Sequence, residues 1–160
     1  MRSSESEGPW MYLTIINSGE RNWNALVPEL HCVGTAPGRD DLIRQTREAI
    51  ALALEDQPEH QPRLRGRDDL DAGLLADLDG SEELLWLTPA EMNPVSLEIE
   101  QALEKAGITQ AELARRLGTS RSAVNRLVNP FYWGHSLDML RRVAAALEAE
   151  LEVRLTAKAS

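Results

Sequence analysis

At 160 residues the chain has room for one domain or two small ones, and 42% apolar residues are enough for packed cores, which excludes a disordered chain. No apolar run approaches the roughly 20 residues of a membrane helix, so no membrane partner is expected. Net charge is −9, but unevenly placed: through Pro94, 8 Lys and Arg face 18 Asp and Glu, whereas from Val95 onward 9 face 8. Such asymmetry points to a different partner for each half, the acidic half avoiding nucleic acid and favouring a basic protein.

Residues 1–9 (MRSSESEGP) are polar and hold no apolar signal core; a disordered tail is expected there. Residues 10–17 (WMYLTIIN) and 22–27 (NWNALV) flank the turn Ser18-Gly19-Glu20-Arg21 and predict a β-hairpin. A third short strand is expected over His31–Thr35. The run DDLIRQTREAIALALE places Leu42, Ala49, Ile50, Ala53 and Leu54 on one helical face, with Asp40 and Asp41 at its positive end. Polar residues 56–83 contain Leu70, Leu74, Leu75 and Leu78 at helical spacing, and residues 83–88 (ELLWLT) read as a strand. Two prolines mark a linker over 89–94. Residues 10–88 thus form one expected domain and 95–160 a second, helical one.

In that second domain Val95, Ile99, Ala102, Leu103 and Ala106 share a helix face that Gly107 ends. Thr109 and Glu112 fit a capping box. The segment TQAELARRLGTSRSAVNRLVNP (109–130) then sets two short helical patterns about Gly118-Thr119-Ser120. Helices that cross at a tight turn need a small residue in the first, an unhindered turn and an apolar anchor in the second. Ala114, Gly118 and Val124 supply these, with Leu113, Leu117 and Leu127 as core. This is the pattern of a helix-turn-helix, whose second helix enters the major groove of double-stranded DNA. Ser120 caps that helix, and Arg121, Ser122, Asn125 and Arg126 are its expected outward, base-reading residues, since arginine suits guanine and asparagine suits adenine. Thr109 and Gln110 are placed for phosphate contacts.

Ser136 opens a fourth helix through Leu137, Leu140, Ala144 and Leu147. The tail ELEVRLT (150–156) alternates, with Leu151, Val153 and Leu155 on one face, so a strand is expected. A lone strand after four helices needs a partner. The simplest is the same strand of a second copy, and a two-fold homodimer would present two reading helices to a palindromic operator; the alternative is that the tail packs on the chain's own N-terminal sheet.

Enzymatic chemistry finds no support in the residues. His31, His60 and His135 are scattered, and none has metal-ligand spacing with Cys32. The acidic cluster Asp68, Asp69, Asp71, Asp77, Asp79, Glu82, Glu83 lacks the glycine and spacing of a calcium loop and suits a solvated surface or a basic partner. No phosphate loop, nucleophile elbow or dinucleotide fingerprint is present. No catalytic residue, metal or cofactor is expected, and the single cysteine suits a reducing cytoplasm.

Two stretches together resemble HicB-like antitoxins of the helix-turn-helix type: PELHCVGTAPGRDDLIRQTREAIALALE (28–55), after the strand pair, and GITQAELARRLGTSRSAVNRLVNP followed by SLDMLRRVAAALEAELEVRL. The resemblance covers roughly two thirds of the chain. It implies an α+β chain: a partial ribonuclease-H-like N-terminal domain, then an all-α helix-turn-helix domain with a C-terminal dimerisation strand. It also implies a small, basic, mRNA-cleaving HicA-type toxin as partner, repression of the pair's own operator, and dimers or tetramers. An active ribonuclease H needs a metal-binding carboxylate on its first strand, and residues 10–17 have none. The 56–83 segment is long for the family, and Glu148-Ala149-Glu150 stands where many members carry a glycine.

Overall fold

A computed structural model describes residues 10–159; the tail expected at 1–9 lies outside the described residues. The fold is α+β, in two units divided between Glu91 and Met92. The first unit holds strands β1 (Tyr12–Ser18), β2 (Trp23–Val27), β3 (Cys32–Ala36) and β4 (Glu83–Leu87), with helices α1 (Arg39–Asp56) and α2 (Ala72–Asp77). The strands form one sheet in the order β3-β2-β1-β4, antiparallel at every pair.

Central β1 is buried from Tyr12 to Ile16 because both sheet faces are covered, and the one polar side chain in that run, Thr14, donates its hydroxyl to Tyr12 O at 3.2 Å. On one face Tyr12, Ile16, Val27, Ala36 and Leu87 meet Leu42 and Ile50 of α1. On the other, Leu13 and Ile15 pack with Leu70, which is 5% exposed, and with Leu64, Leu74, Leu75 and Leu78. The long acidic segment after α1 is therefore the cover of the sheet's second face. Its leucines turn inward while Asp68, Asp69, Asp71, Asp77 and Asp79 stay exposed.

Several of those carboxylates also shape the segment. Asp71 accepts from Leu74 N–H at 2.9 Å and caps α2, and Asp69 accepts from Arg65 N–H at 2.7 Å. Asp79 accepts from Ser81 N–H at 2.9 Å, and its carboxyl lies below the ordinary range because the Ser81 hydroxyl and amide favour the charged form.

The stretch read as a linker is held at both ends. Arg47 Nε donates to Thr88 O at 3.0 Å and Ala90 N–H donates to Arg47 O at 2.9 Å. Asn93 already caps the first helix of the second unit, in which Pro94 takes the first position. That unit contains α3 (Pro94–Ala106), α4 (Gln110–Leu117), α5 (Arg121–Val128) and α6 (Leu137–Ala146) around Ile99, Leu103, Leu113, Leu117, Val124, Leu127 and Val143.

The strand expected over 150–156 is not formed: residues 150–159 carry no regular element. An isolated extended segment has no ladder to join. The turn that leads into it puts Glu148 at φ 52°, a left-handed conformation of the kind a glycine would favour.

Replacing Leu70 by Ala should lower the unfolding free energy by about 2–5 kcal/mol, because the side chain is buried against Leu13 and Ile15 of β1. Urea unfolding measures this. A loss below about 1 kcal/mol would mean that the crossover does not belong to the core.

Candidate nucleic-acid interface

The two helices α4 and α5 are built by their end groups. Thr109 Oγ1 accepts from Glu112 N–H at 3.1 Å at the start of α4, and Ser120 Oγ accepts from Ala123 N–H at 3.1 Å at the start of α5. Between them Gly118 sits at φ 64°, with its N–H on Arg115 O at 3.2 Å and Thr119 N–H on Ala114 O at 3.0 Å. That pair of bonds is a Schellman turn, which reverses the chain and satisfies the last carbonyls of α4. Leu113 and Val124, each 0% exposed, meet under it.

This geometry turns Arg121, Ser122, Asn125 and Arg126 outward: all four are exposed, while Val124 and Leu127 are buried. Among the described residues no hydrogen bond holds any of their side chains. Guanidinium and amide groups free to meet base edges are what major-groove reading requires. Thr109 is exposed and Gln110 half-buried at the N-terminus of α4. The capping oxygens of Thr109 and Ser120 accept backbone bonds, and each hydroxyl keeps its own proton to donate.

Other arginines of the segment hold the scaffold. Glu112 bonds Arg115 Nη2 at 2.5 Å and Arg116 Nε at 3.1 Å. The Thr-x-x-Glu capping box is therefore half-made, because Glu112 turns to these cations and not back to Thr109. Arg115 and then Arg116 hold the Glu112 carboxyl down at about 2. Arg116 Nη1 also donates to Ala146 O at 2.7 Å, and Arg142 Nη2 donates to Leu117 O at 2.7 Å, so each clamps the C-terminal end of a helix. Charge counting along the sequence does not separate these structural arginines from the free ones.

The residues expected in dimerisation are open. Leu151 is half-buried, Val153 is 63% exposed and Leu155 98% exposed. Among the described residues no group of three or more His, Cys, Asp or Glu is placed to hold a metal ion, and no helix is long and apolar enough to cross a membrane.

Comparison with known proteins agrees with this geometry: a family model described as helix-turn-helix matches residues 99–129, from mid-α3 through α5. Residues 99–129 thus form a helix-turn-helix of the DNA-binding kind. No curated protein matches the chain.

Arg121→Ala and Asn125→Ala should each cost about 1–3 kcal/mol at one base position of a preferred duplex. Arg115→Ala, whose guanidinium is held by Glu112, should change affinity far less. Titrations of the three variants against the same duplex decide this; equal losses would move the reading face. A second expectation concerns pH. The folded carboxyl of Glu112 lies below its ordinary 4.5, so its contribution to stability is present above about 4.5 and is lost as pH falls toward about 2. Carbon-detected titration of Glu112 should show no protonation at pH 4; a midpoint near 4.5 would mean that the bonds to Arg115 and Arg116 are not held in solution.

Proposed function

We propose that the chain is a HicB-like antitoxin that acts in the cytoplasm: an acidic unit neutralises a small basic HicA-type ribonuclease, and a helix-turn-helix unit represses the pair's own promoter. The observation that carries it is the joining, in one chain, of a free arginine–asparagine reading face on α5 to a separate unit with a balance of −10 through Pro94. That charge is unsuited to DNA. It suits a toxin whose work on RNA requires a phosphate-attracting face. Opposite potentials speed encounter and suppress wrong partners, while affinity comes from a few buried anchors. The unit neutralises by covering the toxin and needs no chemistry of its own, in keeping with a partial ribonuclease-H-like domain whose β1, YLTIINS, lacks a carboxylate.

The DNA-binding form is a homodimer, alone or paired into a tetramer. Support comes from the alternating tail and from an apolar groove of about 780 Å³ between α3, α6 and residues 149–154. A second tail pairing with the first would give the lone segment its ladder, and the two-fold axis would set both α5 helices on one palindrome.

Deleting residues 150–160 should give monomers by light scattering and abolish tight operator binding; an intact dimer places the interface elsewhere. The antitoxin role is tested by RNA cleavage by the basic protein encoded beside this chain, with and without the full chain. Cleavage should stop at equimolar chain. A second reading, a ligand-sensing repressor, draws on one observation: a cavity of about 490 Å³ in the first unit lined by Trp10, Met11, Leu64 and Trp86. If cleavage is unaffected and small molecules that quench tryptophan fluorescence also release the operator, that reading replaces the antitoxin.

A further inference from the structure

Helices α3 and α4 end on glycines in the left-handed conformation, Gly107 and Gly118, whose turns satisfy their last carbonyls. The reading helix α5 has no such ending. Its cap residue Asn129 is extended, at φ −74° and ψ 119°, and Pro130 follows. Arg126 O takes Asn129 N–H and Asn129 O takes Tyr132 N–H, each at 3.1 Å, but Leu127 O, Pro130 O, Tyr132 O and the second lone pair of Asn129 O draw on donors elsewhere.

Three residues supply them. His135 Nε2 lies 2.7 Å from Leu127 O, Ser96 Oγ donates to Asn129 O at 2.8 Å, Asn93 N–H donates to Pro130 O at 2.6 Å, and Asn93 Nδ2 donates to Tyr132 O at 3.0 Å. A carbonyl only accepts, so His135 Nε2 carries a proton. Asn93 Oδ1 accepts from Val95 N–H at 3.0 Å, which fixes the amide orientation and makes Nδ2 the donor to His135 Nδ1 at 3.2 Å. Asn93 is 5% and Ser96 0% exposed, so water does not satisfy these two side chains in place of their partners. The ring of Tyr132 leans on His135, their centroids 5.1 Å apart.

We infer that Asn93, Ser96 and His135 are positioning residues for DNA reading: from the N-terminus of α3 and the residue before the α6 cap, they set the seat of α5 and thereby the reach of Asn125 and Arg126 toward base edges. The inference rests on the helix-turn-helix reading DNA, as proposed above. It adds three residues that touch no base. Matched donors and acceptors rigidify what they join: without His135 the buried residue Leu127 loses the donor to its carbonyl, and without Ser96 the Asn129 carbonyl is left with Tyr132 N–H alone and loses its tie to α3.

The test uses the full chain, a duplex selected from random sequence by the wild-type chain, and an unselected duplex of equal length. Ser96→Ala and His135→Ala should each weaken binding to the selected duplex by about tenfold. Binding to the unselected duplex, which depends on phosphate contacts, should change less than about twofold. His135→Gln retains an N–H donor for Leu127 O and should recover most of the loss. Amide exchange supplies an arm independent of DNA: protection at residues 127–129, 131 and 132 should fall in Ser96→Ala while that of α4 stays. Equal weakening on both duplexes, wild-type affinity in both alanine variants, or unchanged exchange would each overturn the positioning role. If the wild-type chain selects no sequence, DNA reading itself fails; the exchange arm then still shows whether these residues cap α5.

Discussion

The left-handed backbone at Gly118 is the constraint on which the DNA-facing unit depends. Helices α4 and α5 have eight residues each, shorter than the roughly 12 that a helix needs to persist alone. They exist because the turn brings Leu113, Ala114 and Leu117 against Val124 and Leu127. A Cβ at Gly118 would meet nothing within 4 Å, so glycine is demanded by the dihedral and not by space. Most other residues there, asparagine and aspartate least, carry about 1–2 kcal/mol of strain, a large share of what two short helices gain from their contact. The outward aim of Arg121 and Asn125 is a consequence of that one residue's freedom.

Electrostatics follow from the same packing. Once α4 and α5 are crossed, Arg116 reaches Ala146 O and Arg142 reaches Leu117 O. These two cations complement helix ends, and Arg115 is matched by Glu112. Within residues 109–142 the exposed positive charge left without a described partner lies on α5, at Arg121 and Arg126, and at Arg141 on α6. The segment's field is thereby concentrated on the helix that reads, although its total is modest.

Much of this was legible in the sequence, and the gaps have physical causes. The strands, the four C-terminal helices and the caps at Thr109, Ser120 and Ser136 are local, set by period, propensity and short-range bonds. The role of residues 56–82 was not legible, because only the sheet's second face explains why Leu64, Leu70 and Leu78 are spaced as they are. The outward face of α5 could be read from Val124 and Leu127, three apart. The cap on its end could not, since Asn93 and His135 lie 42 residues apart. The one local signal for it was an absence: no glycine follows α5 where glycines follow α3 and α4. The alternating tail has the period of a strand, yet residues 150–159 carry no regular element. The left-handed Glu148 is legible only against the expectation of a glycine at that turn.

The acidic surface of the first unit is itself a product of folding. Leucines of the crossover are drawn onto β1, and the intervening aspartates are left outside, several of them bonding the amides of their own turns. A negative unit tethered to a DNA reader has a physical consequence. Repulsion from phosphate acts on every sequence alike and lowers background binding, whereas base-edge bonds at the operator are short-range and direct. Specific and non-specific affinity therefore fall by the same factor, and the ratio between them is left to the base-edge bonds. Screening limits the effect to within about 8–10 Å at physiological salt, so it works only while the acidic surface is near the duplex. A basic protein bound to that surface would neutralise it and relieve the repulsion. Occupancy of the acidic unit and affinity for DNA are then linked through charge alone, with no conformational change required of either unit.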